Sequence, residues 1–169
     1  MNKHKLAFSF IGIFIVQLSY AGYFKHIGRE EGLSQSSVMA IYQDKLGRMW
    51  FGTREGVNIY NSDRMTVYKA WIQNGNQPDQ KVLIGNEVSA ITGSQNGDVF
   101  LIVDRALLKY DIRKETFERL RQGSVYALTS HAGEIWCAGH DSIFRYNPQN
   151  NQLDFQQKTG IPSLSLIHI

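Results

Sequence analysis

The chain has 169 residues, 43% of them hydrophobic, with 18 Lys and Arg against 15 Asp and Glu. Without Lys3 and Lys5 the basic and acidic residues nearly balance, so charge makes no electrostatic case for nucleic acid as a partner. The single cysteine, Cys137, excludes an internal disulfide and a cysteine metal cluster; beside Trp136 in a predicted strand, it reads as a packing residue.

In chain order, Lys3, His4 and Lys5 make a basic start, Leu6 to Val16 an apolar core, and Ser19-Tyr20-Ala21 a small-residue site before Gly22. That is signal-peptide anatomy, with residues 1–21 as the leader and 22–169 as the exported part. An uncleaved anchor is the other reading, although the apolar run falls short of the about 20 residues of a membrane span.

The first unit, residues 32–70, reads as short strands at Val38–Gln43, Met49–Gly52, Val57–Tyr60 and Met65–Tyr68, separated by Gly, Asn and Asp turns. The stretch Trp71 to Asn86 is irregular and polar, a candidate for recognition or a tolerated surface insertion. The second unit, 86–121, predicts strands at Val88–Thr92, Val99–Val103, Leu107–Tyr110 and Thr116–Leu120. The third, 123–156, predicts Val125–Thr129, Glu134–Ala138, Ser142–Tyr146 and Gln152–Phe155.

The three units share one skeleton. Gly47, Trp50 and Tyr60 recur as Gly97, Phe100 and Tyr110, and as Gly133, Trp136 and Tyr146, with aromatic and tyrosine ten residues apart each time. Units of about 40 residues with four antiparallel strands each are the arithmetic of a β-propeller blade. The expectation is an all-β, incomplete β-propeller of about three four-stranded antiparallel blades plus the start of a fourth. A β-sandwich with accidental spacing is the alternative.

Closed propellers take about four to eight blades, so the sequence reads as a fragment or a truncated product. Gly160-Ile161-Pro162-Ser163 resembles Gly32-Leu33-Ser34, and Leu166–Ile169 falls where Val38–Ile41 would, within 160–169. His168 stands where the other units have alanine, which leaves open whether the last residues are native blade sequence. Tyr23 to Ile27 is a candidate outer strand for ring closure. An open ring would leave faces and strand edges unpaired, so self-association is expected.

Gly32-Leu33-Ser34, Val38, Ile41, Gln43-Asp44, Gly47, Trp50, Gly52-Thr53, Gly56 and Tyr60 resemble the two-component regulator propeller repeat, found in the sensor region of bacterial hybrid two-component systems. The match is detailed in the first unit and looser later, where Ile102-Val103 and Ala138-Gly139 replace Gly52-Thr53. The resemblance implies a periplasmic propeller that binds an oligosaccharide or other small-molecule signal, in a parent anchored in the inner membrane. It further implies a downstream β-domain, membrane helix, kinase, receiver and DNA-binding region, and leaves a homodimer of the parent open. None of those downstream parts is in this sequence. Membrane contact would come through them or through an uncleaved N-terminus.

No catalytic constellation stands out. His4, His26, His131, His140 and His168 show no helical zinc spacing, and no nucleophile elbow, Walker loop or kinase motif occurs. Asp44 to Trp50 is similar to the Asp-box turn of sialidase-like propellers, with the Asp–Gly spacing one residue longer and a structural role there too. The reading has no catalytic residues, no metal site and no cofactor. Its alternative is a secreted propeller enzyme, glycosidase- or lyase-like, or a carbohydrate-binding module without signalling.

The candidate ligand residues are positional. In a propeller, the loops between second and third strands crowd one mouth, and here they carry Arg54-Glu55, Asp104-Arg105 and His140-Asp141. Converging polar groups suit a sugar-like ligand; a solvated hairpin turn explains the same residues more simply. Trp50, Phe100 and Trp136 read as inter-blade core before they read as a stacking platform.

Overall fold

The computed structural model describes residues 24–70, 82–83 and 85–158. The leader at 1–21, the blade start at 160–169 and most of Trp71–Asn86 lie outside the described residues. Among the described residues there is no helix long and apolar enough to cross a membrane.

The first sheet holds β1 (Val38–Gln43), β2 (Met49–Thr53), β3 (Gly56–Asn61), β4 (Arg64–Ala70) and β5 (Val82–Leu83) in that order. The second holds β6 (Val88–Gly93), β7 (Val99–Val103), β8 (Ala106–Asp111) and β9 (Thr116–Arg121). The third holds β10 (Ala127–His131), β11 (Glu134–Ala138), β12 (Ser142–Asn147) and β13 (Gln152–Lys158). The runs β1 to β4, β6 to β9 and β10 to β13 are each a four-stranded meander of antiparallel neighbours, as expected for three blades of an incomplete propeller.

Register carries the repeat into space. Ile41 pairs with Phe51, Ile91 with Leu101 and Leu128 with Cys137. The first two inner strands bulge at the same place, between Val38 and Ala40 and between Val88 and Ala90. The middle strand β7, Val-Phe-Leu-Ile-Val, is buried at every residue. It has a neighbouring blade on both faces, and such strands read as continuous apolar runs.

Two clusters form the core, one in each seam. Trp50, Val57, Ile59 and Tyr68 of the first blade meet Val88, Leu101, Leu108, Tyr110 and Phe117 of the second. Phe100, Ile102 and Leu107 of the second meet Cys137 and Tyr146 of the third, with Leu128, Phe144 and Leu153 packed alongside. Trp50 meets the Tyr110 ring edge-on at 5.0 Å, and Phe100 meets Tyr146 at 4.7 Å. In the first two blades the aromatic therefore packs on the tyrosine of the next blade. Burial of rings this large dominates seam energetics. Burial pushes the Cys137 thiol up to about 11, which keeps it protonated and fits a packing role.

Three details differ from the sequence reading. Within Trp71–Asn86, Val82–Leu83 form a short strand: Lys69 pairs with Val82 and Ala70 with Leu83 in parallel, which covers part of the outer edge of β4. The third inner strand starts at Ala127 instead of Val125, because the Val125 N–H donates to the Arg105 carbonyl at 2.9 Å and its side chain is buried in the seam. Residues 24–27 form no strand; Phe24 is 94% exposed and the Lys25 ammonium donates to the Tyr60 hydroxyl. The segment before β1 instead covers the rear of the first blade. Asn58, fully buried, accepts from the Ser34 N–H at 2.8 Å and donates to Ser34 Oγ and the Phe51 carbonyl.

Candidate functional site

The first two β-turns between second and third strands are stitched to neighbouring segments along one end of the sheets. The Gly56 N–H donates to the Asn86 carbonyl, the Asp104 N–H to the Glu87 carbonyl and the Val125 N–H to the Arg105 carbonyl, each at 2.9 Å. The Tyr126 N–H then donates to the Ala138 carbonyl at 2.9 Å, just before the His140-Asp141 turn. The sequence-predicted residues thus lie along one continuous rim, and all six are exposed.

Their chemistry divides by sign. Each of the acids has a partner, and Asp104 joins separate segments. Asp104 accepts the Asn86 N–H at 2.9 Å and the Glu87 N–H at 3.0 Å on its two carboxylate oxygens. That bidentate cap explains why Gly85 precedes it: at φ +119, a Cβ there would stand 2.7 Å from Asp104 Oδ2. Asp141 accepts from the Ser142 hydroxyl at 2.8 Å, and Glu55 lies 3.6 Å from the Lys69 ammonium. Arg54, Arg105 and His140, by contrast, have no carboxylate partner among the described residues.

Asp104 and Arg105 both take the left-handed backbone conformation, at φ 46° and 62°. That is the geometry of a type I′ hairpin turn, usually supplied by Asn-Gly. Two non-glycine residues there carry a conformational cost of about 1 kcal/mol or more each. The turn aims the Arg105 guanidinium over the Tyr126 ring, 5.6 Å from its centre.

A cleft of about 300 Å³ opens between this turn and the start of β6, lined by Glu87, Ser89, Asp104 and Arg105. Sequence reasoning found Asp104 and Arg105 but not Glu87, Ser89 or Tyr126. Glu87 and Tyr126 sit on the lead-ins to β6 and β10 and Ser89 within β6, which turn-based reasoning passes over. The available signal was the position of Ser89 beside Val88, one place along an inner strand whose alternate side chains cannot face the seam.

A second cavity, of about 270 Å³, lies between the second and third blades. Gln95, Asn96 and Asp98 face Gly133, Glu134, Ile135, Tyr146 and Pro148 there. Its wall carries a closed polar network. Lys109 Nζ reaches Tyr146 Oη at 2.8 Å and Asp98 at 3.3 Å, and Tyr146 donates to Asn151 Oδ1 at 2.8 Å. Desolvation works against the Lys109 charge, but Tyr146 and Asp98 outweigh it and hold its pKa above the ordinary lysine value. This network ties the second blade to the third.

Known proteins match at the level of the repeat and the fold. Residues 32–55 match the family model described as two component regulator propeller, so the repeat itself is present in the first blade. Histidine kinase P4 of Formosa agariphila is 39% identical over 64 residues, which cover 38% of this chain and 5% of that protein. The extracellular domain assigned to a hybrid two-component system of B. thetaiotaomicron superposes with a TM-score of 0.65 at 24% identity, over 83% of this chain and 21% of that one. Virginiamycin B lyase from Staphylococcus aureus superposes with a TM-score of 0.54 at 17% identity, over 74% of this chain and 42% of that one. The chain thus spans about a twentieth of the curated relative and about a fifth of the extracellular domain. Likeness to both solved structures concerns the propeller fold.

Proposed function

We propose that this chain is part of the ligand-sensing propeller of a hybrid two-component regulator, and that it binds an oligosaccharide-like signal at the rim carrying Arg54, Arg105 and His140. The regulator-propeller repeat at residues 32–55 is the observation that carries this reading. The likeness to the extracellular domain of a hybrid two-component system and to a histidine kinase agrees with it. In this reading residues 1–21 are a leader and the remainder works in the periplasm, in a parent anchored to the inner membrane. The chain binds and does no catalysis; the parent, which can form a homodimer, passes the signal on.

The test replaces Arg54, Arg105 and His140 together with alanine and titrates a panel of neutral and acidic disaccharides by calorimetry. Each lost hydrogen bond costs about 0.5–1.5 kcal/mol, more where the guanidinium charge is involved. Unchanged affinity with the fold intact moves the site to other blades or to the Trp71–Asn86 stretch.

The second reading, a secreted lyase-like enzyme, draws on the superposition with virginiamycin B lyase. Turnover of a bound saccharide, read as new reducing ends or unsaturated products, would establish it in place of sensing.

A further inference from the structure

We infer that the cavity of about 270 Å³ between the second and third blades is a separate binding site, and that it takes a neutral sugar ring. Its walls come from the β6–β7 and β10–β11 turns, whereas Asp104 and Arg105 of the rim sit on the turn at the far end of β7. It does not depend on the rim binding anything.

The repeat shows why the cavity exists. In the first blade the β1–β2 turn is filled from within: Asp44 accepts the Leu46 and Arg48 amides at 3.0 and 2.9 Å and the Trp50 indole N–H at 2.8 Å. The second blade's turn keeps the same backbone frame. The Ser94 N–H donates to the Asp98 carbonyl and the Gly97 N–H to the Ser94 carbonyl, as the Asp44 N–H does to Arg48 and the Gly47 N–H to Asp44. Its side chains are smaller, with Ser94 in the place of Asp44 and Phe100 in the place of Trp50. The cavity opens there, lined by Ser94 and by Tyr146 of the next blade. The Ser94 Oγ is buried and has no hydrogen-bond partner among the described residues. A buried hydroxyl left in that state is costly, and a ligand hydroxyl beside it recovers the bond.

The other groups on offer are neutral. The side-chain amides of Gln95 and Asn96 line the cavity and bond to no other described residue. Each supplies donors and an acceptor. Asp98 and Glu134 line it too, but each has a base beside it: Lys109 lies 3.3 Å from Asp98 and Arg145 lies 3.3 Å from Glu134. Two acids and two bases cancel, so a charged ligand gains no net attraction and competes with an existing pair. A sugar hydroxyl both donates and accepts. It meets a serine, an amide or the spare lone pair of a carboxylate without breaking either pair. Ile135 and Pro148 add an apolar wall for the C–H face of a ring, and the volume suits one ring at a time.

The frame is held before any ligand arrives. The Gln95 N–H donates to the Gly133 carbonyl at 2.9 Å, which ties the two turns together. Gly133 sits at φ +81, and a Cβ there would lie 2.5 Å from the Gln95 Cβ, so the contact needs glycine. Lys109 Nζ reaches Tyr146 Oη at 2.8 Å and fixes the wall between the blades. A preformed site loses less ordering entropy when it binds.

The purified chain, isotope-labelled for amide NMR, is titrated with methyl β-galactoside, methyl β-glucoside and methyl α-mannoside, and with galacturonate and glucosamine as charged comparators. We expect at least one neutral glycoside to shift the Gln95 and Asn96 side-chain amide signals saturably, and to bind more tightly than either charged sugar. Ser94→Ala should weaken that binding by about two- to tenfold. Ser94→Asp combined with Phe100→Trp installs the first blade's pair and should abolish it. Thermal melts control for folding; if the double variant melts early, Ser94→Ala alone decides. Absence of saturable shifts at Gln95 and Asn96 with every neutral glycoside, a charged sugar that binds as tightly, or unchanged affinity in Ser94→Ala overturns the inference. Shifts confined to the Asp104–Arg105 turn overturn it too, and leave the rim as the ligand site.

Discussion

Asp44 accepts the indole N–H of Trp50 at 2.8 Å, six residues along the chain. The same carboxylate also accepts the Leu46 and Arg48 backbone N–H groups at 3.0 and 2.9 Å and pairs with Arg48 Nε at 2.7 Å. One nearly buried side chain therefore shapes the β1–β2 turn and satisfies the largest ring in the first seam. The second blade has Ser94 and Phe100 at these positions, with no indole to satisfy. Asp44→Ala should cost about 2–3 kcal/mol, since it strands several donors. In a double-mutant cycle with Trp50→Phe, the combined loss should be smaller than the sum. Denaturant unfolding measures both.

The same carboxylate predicts a pH dependence. Burial pushes its pKa up, but hydrogen bonds from Trp50 and Arg48 outweigh this and hold it below the ordinary aspartate value. A carboxyl whose folded pKa is depressed contributes stability that is full above the unfolded value and disappears as pH falls through the folded value. The stability difference between the parent chain and Asp44→Asn should therefore shrink as pH drops from about 5 to about 2. A constant difference across that range would show that the charge plays no part.

Gly56 should tolerate no side chain. It sits at φ +107, and a Cβ there would lie 2.1 Å from the Tyr68 carbonyl oxygen. Gly56→Ala should cost about 2–4 kcal/mol, from backbone strain together with displacement of β4. Its melting temperature beside that of Gly47→Ala, where a Cβ meets nothing within 4 Å, separates the close contact from the strain of positive φ alone.

The two repeated tryptophans should respond differently. Trp50 is fully buried with its N–H paired, whereas Trp136 is half-buried and its Nε1 has no hydrogen-bond partner among the described residues. The third blade's turn is one residue shorter and carries no carboxylate where Asp44 stands. Trp50→Phe should lower the melting temperature, and Trp136→Phe should leave it nearly unchanged or raise it. Equal losses would mean that ring volume alone decides.

Cys137 should react with thiol reagents only on unfolding. It is buried, and its pKa near 11 leaves almost no thiolate at neutral pH. Labelling that outpaces global unfolding would show that the second seam opens locally.

Strand identity was legible because each strand is a short apolar run between turn residues. Val38–Gln43, Val99–Val103 and Glu134–Ala138 have the bounds that composition alone suggested. The candidate rim was half legible. Turn residues announce themselves by type, so Arg54, Asp104 and His140 stood out. What each of them does depends on a backbone group from a distant part of the chain, such as the Asn86 and Glu87 amides that occupy Asp104. No local pattern records which carboxylates are already in use.

The sequence by itself determined the repeat, its four-strand unit and the positions of Trp50, Phe100, Tyr110 and Tyr146, because spacing and period are properties of one dimension. Only the tertiary structure decided the pairing. Trp50 and Tyr60 lie in the same unit, yet they point to opposite faces of its sheet, and Trp50 meets Tyr110 of the next blade instead. Neighbouring strands put adjacent register positions on alternate faces, so a fixed ten-residue spacing within each blade becomes contact between blades. The environment of the rim has the same origin: folding brings the Asn86 and Glu87 amides onto Asp104 and leaves Arg54, Arg105 and His140 exposed along the same end.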